Sequence, residues 1–268
     1  MTKRGAVFTV SGIAVLGAAC LAFVRVCPPA ATCLRSMVQV GVWLSMDGRV
    51  SWALIGLVLT AWMVRTVFLL RGTEQAVRRL ATCEVPSRMR AGQVRIGAAR
   101  LVCLKADRES AFCSGTWRPT IFIGETLADR LSPDELDAVL LHELDHASGY
   151  EPMRRAARQA AADILFFAPI VRWWAQRRTV QVELHADRAA LERVGPRAVA
   201  AALWTLGGSV PSGVAAFVGS AGPRVAQLLG DSIAQPGPPP RLVAASLVGT
   251  YVALQVLACA AATFLYPR

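Results

Sequence analysis

Three apolar runs, at residues 5–27, 51–70 and 243–266, are each about as long as a helix that crosses a bilayer. They set the limits on how the rest of the chain can fold. Inside hydrocarbon a backbone must satisfy its own hydrogen bonds, so each run is expected to form a single spanning helix. The first follows Met1-Thr2-Lys3-Arg4 and carries no charge from Gly5 to Val24, a pattern shared with secretory signals. It is long for the apolar part of a signal, and Cys27-Pro28-Pro29 makes a poor cleavage site. A retained span is therefore expected. Arg65 lies near the inner end of the second run, where its side chain can reach headgroups. Tyr266-Pro267-Arg268 closes the third run with residues suited to an interface. A fourth apolar region, 160–175, holds Phe166-Phe167 and Trp173-Trp174 but is short and broken by Pro169; it reads as an interfacial or domain-core helix. Residues 199–219 are Gly-rich and interrupted by Pro211, so no span is expected there.

The charge pattern orients these runs. The net charge is +11, in a chain that is 54% hydrophobic. Lys3 and Arg4 precede the first run, and Arg71, Arg78, Arg79, Arg88 and Arg90 follow the second, whereas only Arg35 and Arg49 lie between the two. The positive-inside bias then predicts a multi-pass protein of the cell membrane, with its N-terminus in the cytoplasm and its C-terminus outside. The organisation that follows is a membrane region at 1–80, a cytoplasmic domain at 81–235, and a stiff linker (Pro236-Gly237-Pro238-Pro239-Pro240) leading into the last span at 236–268. Because the arginines gather at membrane edges without interleaved aromatics, no nucleic-acid binding is expected. The seven cysteines include no CxxC pair. Cys83, Cys103 and Cys113 read as reduced thiols in a cytoplasmic domain, while Cys27 and Cys33 are candidates for a bridge in an external loop.

Within the middle domain, residues 93–105 and 120–123 have strand-forming composition. From Ser132 the pattern turns helical. Ser132 suits an N-cap, Pro133 the first helical position and Glu135 a capping box, while Leu136, Leu140 and Leu144 recur at helical spacing up to Gly149. The predicted helix, 133–148, carries His142-Glu143-Leu144-Asp145-His146. Histidines at i and i+4 share one helix face and can bind the same zinc ion, with Glu143 close enough to act as general base on an attacking water. A catalytic zinc needs a third protein ligand and an open position. The best candidate is Glu183, in the helical stretch Val182-Glu183-Leu184-His185-Ala186-Asp187-Arg188, which is expected to end before Gly195-Pro196. Asp187 shares the face of Glu183 and can hold a ligand histidine by its other ring nitrogen. His185 projects about 200° away on an ideal helix. It can be a substrate-side donor, a competing ligand or a surface histidine.

Trp117-Arg118-Pro119-Thr120-Ile121-Phe122-Ile123, the capped HELDH helix and Glu183-x-x-x-Asp187 together resemble the BlaR/MecR-type membrane metallopeptidases. They are similar also to the related HtpX and CAAX-protease gluzincins. The resemblance covers roughly residues 111–194. It implies a small α+β, mainly helical zinc peptidase domain inserted between transmembrane helices, holding one zinc ion on His142, His146 and Glu183. Glu143 is then the base and Asp187 a support to a ligand. The implied partners are the bilayer and a protein substrate, with a transcriptional repressor as one candidate. A substrate segment is expected to add as a strand to a sheet edge, a role suited to 120–123. Two departures from the close relatives narrow this. No external sensor follows the last span, so the chain is not expected to be a receptor by itself, and the Arg-Asp pair expected after the HELDH segment is replaced by Ala147-Ser148-Gly149-Tyr150. The alternative reading is a regulatory membrane module that keeps a zinc site and hydrolyses nothing.

Overall fold

The computed structural model describes residues 48–97, 100–105, 110–207, 215–231 and 236–265. The run at 5–27 and the Cys27–Cys33 pair lie outside them. The described chain is mainly helical with one small sheet, an α+β fold as expected. It begins with α1 (Gly48–Arg78), followed by β1 (Thr82–Cys83), α2 (Ser87–Ile96), β2 (Leu101–Leu104), β3 (Ala111–Ser114) and β4 (Thr120–Gly124). Then come α3 (Glu125–Arg130), α4 (Pro133–Ser148), α5 (Glu151–Ile164), α6 (Pro169–Gly207), α7 (Ala215–Leu228) and α8 (Pro240–Leu265).

The chain divides into two compact units. One comprises, of the described residues, 48–61, Ile164–Arg172 and 238–265. In its described part the Ser246 hydroxyl accepts from the backbone N–H of Ile170 at 2.9 Å and donates to the Leu242 carbonyl at 2.7 Å. Two helical stretches, Trp52–Arg78 in α1 and Pro240–Leu257 in α8, are long and apolar enough to cross a membrane. Trp52, Leu57, Leu59, Met63 and Phe68 are exposed, the solvent-facing arrangement that lipid contact requires.

The other unit, Trp62–Asp163 and Trp173–Gly237, contains the sheet and its core. The strand order is β1-β2-β4-β3, with β2 parallel to β4 and both outer pairings antiparallel. Ile121 and Ile123 alternate into the core with Leu101 and Cys103, facing Leu136 and Leu140 of α4 and Met89 of α2. Gly92 lets α2 approach α4 closely, since a β-carbon there would stand 2.9 Å from Leu140 Cδ1. Arg95 clamps the same pair of helices by donating Nε and Nη2 to the two oxygens of Asp137, at 2.8 and 2.7 Å. Within this unit the second half of α1 is tied to α5. Trp62 Nε1 donates to the Ala157 carbonyl at 2.9 Å, and Arg65 donates Nε and Nη2 to Asp163 at 2.9 and 2.7 Å.

Four sequence expectations are corrected. The strand candidate 93–105 is a strand only at 101–104; residues up to Ile96 finish α2, which Gly97 closes in the left-handed conformation (φ 73°). The stretch 160–175 is a junction of two helices, because Pro169 cannot continue α5 and instead opens α6. The 120–123 strand is not a sheet edge: β4 pairs on both sides, and β3 is the outer strand among the described residues. Cys83 and Cys103 are not free thiols. They face each other across the β1–β2 pairing and form a disulfide, leaving Cys113 free.

Candidate active site

The site is built on α4, and the local sequence explains where that helix starts. Ser132 accepts from the Glu135 N–H at 3.4 Å while Glu135 returns a bond to the Ser132 N–H at 2.9 Å, and Pro133 sits in the first turn. With Leu136, Val139 and Leu140 buried in the core, the helix phase is fixed, and His142, Glu143 and His146 are carried to the cavity side. The helix ends at Gly149, with Tyr150 taking the left-handed position (φ 51°).

The first part of α6 supplies Glu183 and Asp187. Gly195 breaks this helix with φ 81° and ψ 168°, and Pro196 restarts it, so the helix end expected before Gly195-Pro196 is present as a kink. These elements, together with α7 and β3, enclose a cavity of about 190 Å³ lined by all five predicted site residues. Its outer wall includes Ala111, Phe112 and Cys113 of β3, with Val199, Leu203 and Leu206 on an apolar side.

Nε2 of His142 and Nε2 of His146 are 3.0 Å apart. Glu183 faces both, with Oε2 3.5 Å from His142 Nε2 and Oε1 3.7 Å from His146 Nε2. Two imidazole lone pairs at such a separation repel unless a proton or a cation lies between them. Neighbouring donors around a tetrahedral zinc ion stand roughly 3.3 Å apart, given bonds of about 2.0–2.1 Å. The three side chains therefore fit a divalent metal in both donor type and spacing. Nδ1 of His142 is 2.9 Å from Asp187 Oδ1 but off the hydrogen-bond line, so that neither it nor the buried Nδ1 of His146 has a hydrogen-bond partner among the described residues.

The electrostatics match this placement. Burial works against a charge on His142, but the carboxylates of Asp187 and Glu183 outweigh it and push the group up to about 9. Burial and the neighbouring His142 charge bring His146 down to about 4. Burial would raise Glu183, yet His142, His146 and Arg224 hold it down at about 2. Glu143 is only 7% exposed, and burial above all, aided by Glu183, pushes it up to about 7. A carboxyl poised there can exchange protons near neutral pH. Burial and Glu143 also push the Cys113 thiol up to about 12, so that side chain is protonated and a poor nucleophile.

His185 takes no part in this cavity. It is 73% exposed and contacts Asp145 at 3.0 Å, which selects the surface reading among the three left open. Two features escaped the sequence reading. Arg224 of α7 is 6% exposed and donates Nε and Nη2 to Asp187, both at 2.6 Å. Its signal was available, since it is the only charged residue in a largely apolar helix. The outer strand β3 gave a weaker one: four residues, Ala111–Ser114, with no alternation of polarity.

A helix-borne histidine pair with a buried glutamate between them, joined by a glutamate from a second helix, places the chain among the metallopeptidases. The family model for the BlaR1 peptidase M56 matches residues 22–201, well over half of the chain. The chain belongs to that family of membrane metallopeptidases. No curated protein matches it.

Proposed function

We propose that the protein is a membrane-embedded zinc endopeptidase, with one zinc ion held by His142, His146 and Glu183. The observation that carries this reading is the convergence of those three side chains, whose ligand atoms all lie within 4.8 Å of one another beside the buried Glu143. Zinc bound there would polarise the scissile carbonyl and acidify a water molecule. Glu143 takes the proton of the attacking water and returns it to the leaving amine. Asp187 Oδ1, 2.9 Å from Nδ1 of His142, favours the tautomer with its proton on Nδ1, which keeps Nε2 of that ring available as a donor atom. The outer strand β3 offers beside the cavity a backbone edge that no other strand pairs among the described residues, where an extended protein segment can add as a further strand. Val199, Leu203 and Leu206 favour an apolar substrate side chain.

In this reading the peptidase domain faces the cytoplasm, which allows a regulatory protease with a transcriptional repressor among its substrates. Five arginines soon after the second apolar run support that orientation. The Cys83–Cys103 bond points the other way, because disulfides are rare in the cytosol. The arginine pattern carries more weight here, since cross-strand register brings the two sulfurs together in either compartment. A non-hydrolytic module has less support, because a structural metal site has no use for a buried, near-neutral Glu143. The test is Glu143→Gln in the full chain. The variant should keep one zinc ion and lose cleavage, detected as the disappearance of a substrate N-terminus in cells. Wild-type cleavage rates in Glu143→Gln would defeat the mechanism.

A further inference from the structure

Arg224 lies beyond the residues matched by the family model, on a helix remote in sequence from the HELDH segment. Its guanidinium is nevertheless buried against the centre. Nε and Nη2 grip the two oxygens of Asp187 at 2.6 Å each, and Nη1 stands 3.5 Å from Glu183 Oε2. One turn further along α7, Gln227 donates to the Leu184 carbonyl at 3.0 Å, so α7 is pinned to α6 on either side of the site.

A guanidinium is costly to bury and persists where its geometry is exacting and its charge is needed. Both conditions hold. The planar fork fixes the rotation of the Asp187 carboxylate, which in turn faces Nδ1 of His142. Three carboxylates, Glu143, Glu183 and Asp187, gather around the ligand histidines, while the fourth in the cavity lining, Glu151, is ion-paired with Arg158, and Arg155 of the same lining is exposed. A divalent cation and one guanidinium together supply the three opposing charges, whereas the cation alone leaves the buried cluster negative.

We propose that Arg224 is a positioning residue of the metal centre, orienting His142 through Asp187 and completing the charge balance around the bound cation. This rests on the reading that His142, His146 and Glu183 bind a divalent metal. Lysine in its place keeps the charge but loses the fork, so the two roles can be separated.

The experiment uses the full chain in detergent, stripped of metal and titrated with zinc against a chromophoric chelator, then with cobalt to record its visible absorption. Arg224→Gln should bind zinc about 10–100-fold more weakly than wild type, the usual effect of removing a partner behind a metal ligand. Arg224→Lys should recover part of the affinity while its cobalt spectrum stays different from wild type. It also carries the test if Arg224→Gln does not fold. Wild-type affinity and spectrum in the folded variants overturn the proposal and leave the metal reading standing. Failure of the wild type itself to take up zinc overturns both.

Discussion

Nδ1 of His142 lies 2.9 Å from Oδ1 of Asp187, and the same carboxylate is gripped by Arg224 at 2.6 Å through both of its oxygens. Orientation at the centre is thus passed along three helices, from α7 to α6 to α4. Asp187 is 2% exposed, so both of its contacts are made away from bulk solvent. Asp187→Ala leaves a buried guanidinium with only the looser contact to Glu183, and breaking such a buried pair costs up to about 3–5 kcal/mol. The expected outcome is a clear fall in Tm of the metal-free chain, together with weaker metal uptake. A Tm unchanged from wild type would show that the pair contributes little.

The same contacts give the metal-free protein a pH dependence. His142 is raised in the folded state to about 9, so the folded chain holds a proton that an unfolded histidine, with an ordinary value near 6.5, has released. Stability from this group is fully present below pH 6.5 and is lost as the pH rises through 9. Glu143, raised to about 7, works in the same direction between its ordinary 4.5 and 7, whereas His146, lowered to about 4, opposes it below 6.5. Above pH 7 only the His142 effect remains among the three. Thermal melts of the metal-free chain should therefore show Tm falling between pH 7 and 9, and His142→Gln should flatten that slope. A Tm that rises over this window contradicts the assignment.

The start of α4 can be weakened without touching the site. Ser132→Ala removes the bond accepted from Glu135 N–H and half of the reciprocal cap. The usual loss is about 1 kcal/mol. The variant should melt earlier yet bind zinc with wild-type affinity, because Leu136 and Leu140 still fix the helix phase that presents His142. Loss of affinity equal to that of a ligand mutant would mean that the cap also positions the histidines.

The legible parts of this protein are those specified by neighbours in sequence. Ser132, Pro133 and Glu135 mark a helix start whatever surrounds them, and four-residue spacing alone puts His142 and His146 on one face. Glu183 and Asp187 were readable because they repeat the same spacing on a second helix. The 93–105 stretch misled because Val94 and Ile96 are good strand formers, but Gly92 and Arg95 are held by contacts with Leu140 and Asp137, more than forty residues away. Sheet order is likewise a long-range property. Nothing in 120–123 says that two other strands will cover both of its edges, and nothing local to Arg224 names Asp187 as its partner.

The Cys83–Cys103 bond is another long-range feature with a measurable consequence. It joins β1, only two residues long, to β2 across a sequence separation of 20. So short an outer strand has little pairing of its own, and the covalent link is what keeps it in register. Closing a loop of that size in the unfolded chain is worth about 3 kcal/mol. Cys83→Ser should lower Tm to the same extent as reduction of the wild type, and adding reductant to the variant should change nothing further. Peptide mapping of the unreduced protein should recover Cys83 and Cys103 in one linked fragment, with Cys113 unlinked. Metal affinity should stay within a few-fold of wild type, because β1 lies at the far side of the sheet from β3 and its cavity. A large change in affinity on reduction would instead mean that this bond reaches the metal centre through β2 and β4.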